Sequence, residues 1–214
     1  MNVSQLLEDF IVSKNHPCLM AQTVFKNDHF IIKEYYENLG SPKHTRRLLK
    51  DLYLYLEKYD YSNPEPYTFI AAFPNQTEIS EERFEELLWQ EMQQLHVCDE
   101  KDWDRSVSAN PQDPDFSFSV GGQAFYVVGM HPGSSRLARQ APVTLIAFNL
   151  HRQFEQLRKM HTYERVRDLI RQRDKQLQGH INPMLQDFGT SSEARQYSGR
   201  AVSKSWKCPF HAKS

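Results

Sequence analysis

A histidine placed where a strand must stop is the first group in this chain that could do chemistry. His131 ends the apolar run Ala124-Phe125-Tyr126-Val127-Val128-Gly129-Met130 and is followed by Pro132 and Gly133. An imidazole held at a strand end by a rigid turn suits a metal or haem ligand, or a general base. The competing reading is a histidine that only caps a turn. Ser134, Ser135, Arg136 and Arg139 come next. Their hydroxyls and guanidinium groups are donors suited to carboxylate or phosphate, or else form a solvated basic turn. Cys208, between Trp206 and Phe210, is a second ligand candidate whose sulfur two aromatic rings would shield. Cys18, after Pro17, is a weaker candidate of the same kind, and Cys98, near a helix end, is expected to be inert. Asp187, Glu193, Arg195 and Tyr197 form a polar cluster in an otherwise packing segment. Its carboxylates could receive a cationic substrate by charge-assisted hydrogen bonds, or they could pair internally and pin the loop.

Other chemistries find no support. There is no G-x-G-x-x-G and no phosphate loop with its lysine, so nucleotide hydrolysis and Rossmann redox chemistry are set aside. No G-x-S-x-G elbow, no H-E-x-x-H and no C-x-x-C is present, so hydrolase and zinc readings lose most of their support. A formal net charge of -1 argues against a nucleic-acid partner. No apolar run approaches the ~20 residues that span a bilayer, and the amphipathic start, with Glu8 and Asp9, does not read as a secretory signal. Three unpaired cysteines fit a reducing, cytoplasmic setting.

These groups need a scaffold. With 214 residues, 39% hydrophobic and 12% aromatic, the chain is expected to form one globular domain over residues 1–214. Ser4 to Val12 reads as a short helix, and Cys18 to Phe25 as a strand. Ser41 and Pro42 are an N-cap and first helical position; Leu48, Leu49, Leu52 and Leu56 then recur at helical spacing to about Tyr59. Tyr67 to Phe73 is β-rich, and Ser80 starts a second long helix with a stripe of Phe84, Leu87, Leu88, Met92 and Leu95. Asp99 to Asp115 is a loop. Phe116–Val120 and Gln123–Met130 flank Gly121-Gly122, a hairpin signal, and Pro142 to Asn149 is apolar on both faces, as a central strand would be. Helices follow from Leu150 and from Tyr163. After Gly179 periodicity stops, yet Met184, Leu185, Phe188, Tyr197, Trp206 and Phe210 are too apolar for a free tail. The fold class is therefore α+β: a four- to five-stranded, mostly antiparallel sheet with packed helices and an ordered C-terminal wrap.

Long segments in order also resemble a known family. They are His131-Pro132-Gly133-Ser134-Ser135-Arg136-x-x-Arg139, Phe148-Asn149-Leu150-His151-x-x-Phe154, Ile181-Asn182-Pro183-Met184-Leu185-x-Asp187-Phe188-Gly189 and Ser192-Glu193-Ala194-Arg195-Gln196-Tyr197-Ser198-Gly199. They resemble the YqcI/YcgG family, closest to its branch similar to the guanitoxin-pathway N-hydroxylase. The resemblance implies a haem-dependent monooxygenase with haem b iron as cofactor, hydroxylating a guanidine nitrogen of arginine or an arginine-like substrate with O₂ or peroxide. On that reading His131 is the axial ligand, with Cys208 and then Cys18 as alternatives. Ser135, Arg136 and Arg139 serve the haem propionates, and Glu193, Asp187 and Tyr197 handle the guanidine. The implied partners are a small guanidine substrate and an electron donor that the sequence does not identify, with neither nucleic acid nor membrane; a homodimer is compatible with it. The rival expectations are a non-catalytic haem or small-molecule binder and a haem-free interaction module.

Overall fold

The computed structural model describes residues 2–213. Its frame is a five-stranded sheet, β1 (Phe30–Glu34), β2 (Thr68–Phe73), β3 (Phe118–Val120), β4 (Gln123–Met130) and β5 (Thr144–Leu150), in the order β1-β2-β5-β4-β3. Only β1 and β2 run parallel; the other three pairings are antiparallel. The parallel pair needs a crossover helix, and α3 (Pro42–Lys58) supplies it. Ser41 accepts from the Lys43 amide and Pro42 opens the helix, as the residue order predicts. α4 (Glu81–Cys98) starts on Ser80, whose hydroxyl accepts from the Arg83 amide.

Every residue of β2 is buried and β5 is nearly so, because both lie in the middle of the sheet with both faces covered. On one face α3 and α4 cover Phe69, Phe73, Phe125, Val127, Ile146 and Phe148. Each such fully buried side chain contributes about 1.5–3 kcal/mol. The approach of α4 depends on Gly129, where an added Cβ would come within 2.8 Å of the Phe84 ring. Gly121 and Gly122 turn the β3–β4 hairpin with φ of +64° and +74°, a conformation only glycine adopts cheaply.

The other face carries Ile70, Ala72, Val128, Met130, Leu145 and Ala147. It is covered by α1 (Val3–Glu8), which continues as a π-helical turn over Asp9–Ser13, and by α2 (Leu19–Lys26). The strand expected over Cys18 to Phe25 is thus a helix. Met20, Ala21, Val24 and Phe25 recur at i, i+1, i+4 and i+5, a stripe that faces the sheet as a helix and would face both ways as a strand. β1, which carries no flanking signal of its own, was not anticipated. α5 (His151–Lys159), α6 (Tyr163–Gln178) and the short α7 (Ala194–Tyr197) complete the frame.

The C-terminal wrap is present and is clasped to α4. The buried Glu85 accepts from Ser198 (2.9 Å), from Arg200 (2.8 Å) and from the Trp206 indole (2.9 Å). Cys208 and Phe210 follow into the α4 core. No described helix is long and apolar enough to cross a membrane.

Candidate functional site

A cavity of about 290 Å³ lies between the second sheet face, the N-terminal helices, α6 and the segment 182–188. Its exposed wall surface is mostly apolar, as in a typical ligand cleft, but several arginines and carboxylates also border it. Its volume is at the small end of the ~300–1,000 Å³ typical of such clefts.

The wall nearest the hairpin has an unusual construction. β3 pairs with β4 only as far as Phe125, so the edge of β4 beyond it is open. The α7 turn plugs that edge and turns Glu193 and Gln196 into the cavity while Tyr197 enters the α4 core. Glu193 is buried. Its Oε2 accepts from the Ser117 hydroxyl (3.0 Å) and from the Tyr197 phenol (3.3 Å). Among the described residues no Lys, Arg or His pairs with it. Burial therefore pushes its carboxyl up to about 8, although the Ser117 and Tyr197 hydrogen bonds and the more distant Arg158 pull the other way. Burial thus favours its neutral form, and a cation brought beside it would favour the charged one. Tyr197 does not line the cavity. Its phenol oxygen accepts from the Phe118 amide (3.0 Å) and its ring stacks on Trp89 (5.6 Å), so it positions Glu193.

Asp187 also borders the cavity, yet its two oxygens are taken by Arg167 (2.8 Å) and Arg171 (2.9 Å) of α6. It ties the 182–188 segment to α6 and is not a free carboxylate. The arginines expected for an anion divide in the same way. Arg136 is buried against Asp174 at 2.6 Å. Arg139 gives hydrogen bonds to the carbonyls of Gly129 (2.9 Å), Gln196 (3.2 Å) and Tyr197 (3.4 Å), and no carboxylate pairs with it among the described residues. Both line the cavity. Ser135 does not; its amide and hydroxyl are both bound to Glu81 on the α4 side.

Of the three ligand candidates, only Cys18 borders the cavity. It is the N-cap of α2, where the amides of Met20 and Ala21 point toward its sulfur; burial still raises its pKa. His16 borders the same wall. Its Nε2 donates to the Ala138 carbonyl (2.9 Å), so its Nδ1 is free to accept from the Cys18 amide (3.1 Å), and burial lowers its pKa to about 4.

His131 lies away from this cavity. Along β4, Tyr126, Val128 and Met130 face the cavity, while Phe125 and Val127 face α4. His131 is one step past Met130 and so points to the α4 face. Its ring stacks on Phe84 at 4.3 Å, with both nitrogens buried and without partners. Burial lowers its pKa, opposed by Glu81 and Glu78. Cys208 is on that face too, its thiol pushed up to about 12 by burial.

The cavity also brings in residues that sequence reasoning passed over as sites. His151, first residue of α5, packs its ring at a tilt against Phe188, centroids 4.4 Å apart, with Nε2 buried and unpartnered, and burial lowers its pKa. Gln196 accepts from the cavity-lining Tyr126 phenol (2.9 Å). Arg158, near the end of α5, lines the cavity as well. The available signal was position: His151 directly follows a central strand, and His16 directly precedes Pro17-Cys18. Among the described residues, no three His, Cys, Asp or Glu side chains are grouped to hold a metal ion by themselves.

Comparison with known proteins gives the following. The model of the YqcI/YcgG family matches residues 7–211. The chain is 26% identical over 206 residues to the uncharacterized protein YcgG of Bacillus subtilis (strain 168), covering 91% of this chain and 80% of that protein. It is 25% identical over 209 residues to the uncharacterized protein YqcI of the same organism, with the same coverage. No solved structure matches.

Proposed function

The chain belongs to the YqcI/YcgG family, and from that premise we propose that it is a haem-dependent N-oxygenase of the branch similar to the guanitoxin-pathway enzyme, hydroxylating a guanidine nitrogen of arginine or an arginine-like substrate. The observation that carries this reading is Glu193: a buried carboxyl that no cation pairs with among the described residues, on the wall of a cavity whose other carboxylates, Asp174 and Asp187, are already paired with arginines. A guanidinium is the complement of such a group, because it brings both the charge and paired donors.

The donor set suits haem b. Much of the wall surface is apolar, the Cys18 sulfur borders it at the start of α2, where burial favours the neutral thiol until a metal ion displaces its proton, and Arg139 is a cation without a paired carboxylate among the described residues. Cys18 would hold the haem iron and Arg139 would meet a propionate. His151 is the second ligand candidate, since its Nε2 has no partner. When bound, haem would supply activation of O₂ or peroxide for insertion of one oxygen into a guanidine N–H. The protein's own share is distinct. Glu193 gives up its proton as the cation arrives and orients it; Ser117 and Tyr197 hold that carboxyl still. The aliphatic walls exclude water. The cavity's present size fits one compact ligand, and haem with substrate would need more room than it offers.

That size favours a second reading, a haem-free protein that binds one small guanidinium compound. A visible spectrum of the purified protein supplied with haemin, before and after dithionite and CO, separates the two. A stoichiometric Soret band that shifts with CO, followed by one added oxygen on arginine by mass spectrometry, supports the oxygenase. A protein that takes up no haemin sinks it and leaves the binder.

A further inference from the structure

The cavity that would receive a guanidinium already borders one of the protein's own. Arg158, near the end of α5, places its guanidinium carbon 4.4 Å from the ring centre of Tyr163 and 5.8 Å from that of Phe188. Its Nη1 pairs with Glu155, one turn earlier on the same helix. Arg158, Tyr163, Phe188 and Glu193 all line the same cavity, and the Arg158 charge is felt at Glu193 without an ion pair being made. Two aromatic faces with a carboxylate beside them are a general means of binding an organic cation.

We propose that Tyr163 and Phe188 on the cavity wall, with Glu155 outside it at the solvent edge, form a guanidinium-binding subsite at the cavity mouth, occupied here by Arg158, and that an entering ligand must displace the Arg158 side chain. The inference rests on the guanidine reading of Glu193 and adds a resident competitor to it. Three features favour exchange. The Arg158 side chain is 28% exposed and its Glu155 partner 45% exposed, so the pair between them is weak. The two rings belong to other elements: Tyr163 is the first residue of α6, and Phe188 is braced by the His151 ring. The cradle therefore persists when Arg158 swings out. Finally, Glu155 lies at the solvent edge and Glu193 lies deep, so a ligand can pass from a shared carboxylate to an unshared one.

The test is calorimetric titration of the full-length protein with arginine and with agmatine, as purified and again after haemin addition. The Arg158→Met variant keeps the side-chain stem and removes the competing charge. It should bind these probes roughly three- to tenfold more tightly than wild type, as expected when a competing state is removed. Tyr163→Leu should bind them roughly two- to fivefold more weakly, the worth of one cation–π contact. Arg158→Gln repeats the comparison if the Met variant fails to fold. If wild type binds while both Arg158 variants bind equally or less well, the competitor role is overturned and the guanidine reading stands. If neither wild type nor an Arg158 variant binds either probe, both fall together.

Discussion

The phenol oxygen of Tyr197 lies 3.3 Å from Oε2 of Glu193, the two residues being four apart across the α7 turn that plugs the open edge of β4. One turn thus serves two faces of the sheet. Its carboxyl enters the cavity, and its phenol is packed in the α4 core, where it accepts from the Phe118 amide. The carboxyl has hydrogen bonds and no counter-ion, and from this imbalance the pH behaviour follows.

Glu193→Gln should raise stability at alkaline pH. The folded pKa of about 8 is above the ordinary 4.5, so the folded state holds the proton more tightly. The stability linked to it is complete below pH 4.5 and is lost as pH rises toward and through 8. The variant should match wild type near pH 4.5 and exceed it near pH 9 by about 2–4 kcal/mol. Denaturant melts at both values check this. The same variant should lose guanidinium binding, and in wild type that binding should release a proton below pH 8. Binding without proton release, measured in two buffers of different ionisation enthalpy, would count against Glu193 as the receiving group.

Tyr197→Phe should cost about 1–3 kcal/mol, because the buried Phe118 amide loses its acceptor. Guanidinium affinity should fall only modestly, since the Ser117 hydroxyl still holds Glu193. A loss of binding as complete as in Glu193→Gln would promote Tyr197 from a positioning role to direct contact.

Asp187→Asn should behave unlike Glu193→Gln although both carboxylates border the cavity. The two pairs that Asp187 makes with Arg167 and Arg171 are partly exposed, so removing its charge should cost no more than about 1 kcal/mol. Affinity for arginine should stay within roughly twofold of wild type if the guanidinium goes to Glu193. Titration of both variants against arginine decides between the carboxylates.

Cys18→Ser should change or abolish the spectrum of haemin-treated protein, whereas Cys208→Ser and His131→Phe should leave its bands in place, since both residues lie across the sheet from the cavity. A spectrum that survives Cys18→Ser and is lost in His151→Ala moves the ligand to α5.

His131→Phe has a second consequence. His131 is buried neutral, with its pKa lowered by burial. The unfolded chain therefore binds more protons below the ordinary value of 6.5, and stability is lost as pH falls through that value toward the lowered one. The variant should unfold at lower pH than wild type, with little change at pH 8. Acid titrations followed by circular dichroism measure the difference.

Much of the frame was legible from local rules. Ser41-Pro42 and Ser80 cap helices, Gly121-Gly122 turns the hairpin, and the leucine spacing from Leu48 to Leu56 marks α3. The apolar residues after Gly179 already implied an ordered wrap. Short elements without such signals were not legible: β1 is five residues long, and α2 is a short apolar run after Pro17 that a strand would fit as well.

For the site, the sequence by itself determined which residue types were at hand: an imidazole at a strand end, thiols beside prolines, and a Glu-x-x-x-Tyr turn. Only the tertiary structure decided which of them share a space. Strand side chains alternate, so a single step past Met130 sends His131 to the far face. The same three-dimensional accounting shows that Asp187 and Arg136 are already neutralised by α6, while Glu193 and Arg139 are not. Charge pairing between distant segments depends on where helices pack, which no local spacing records.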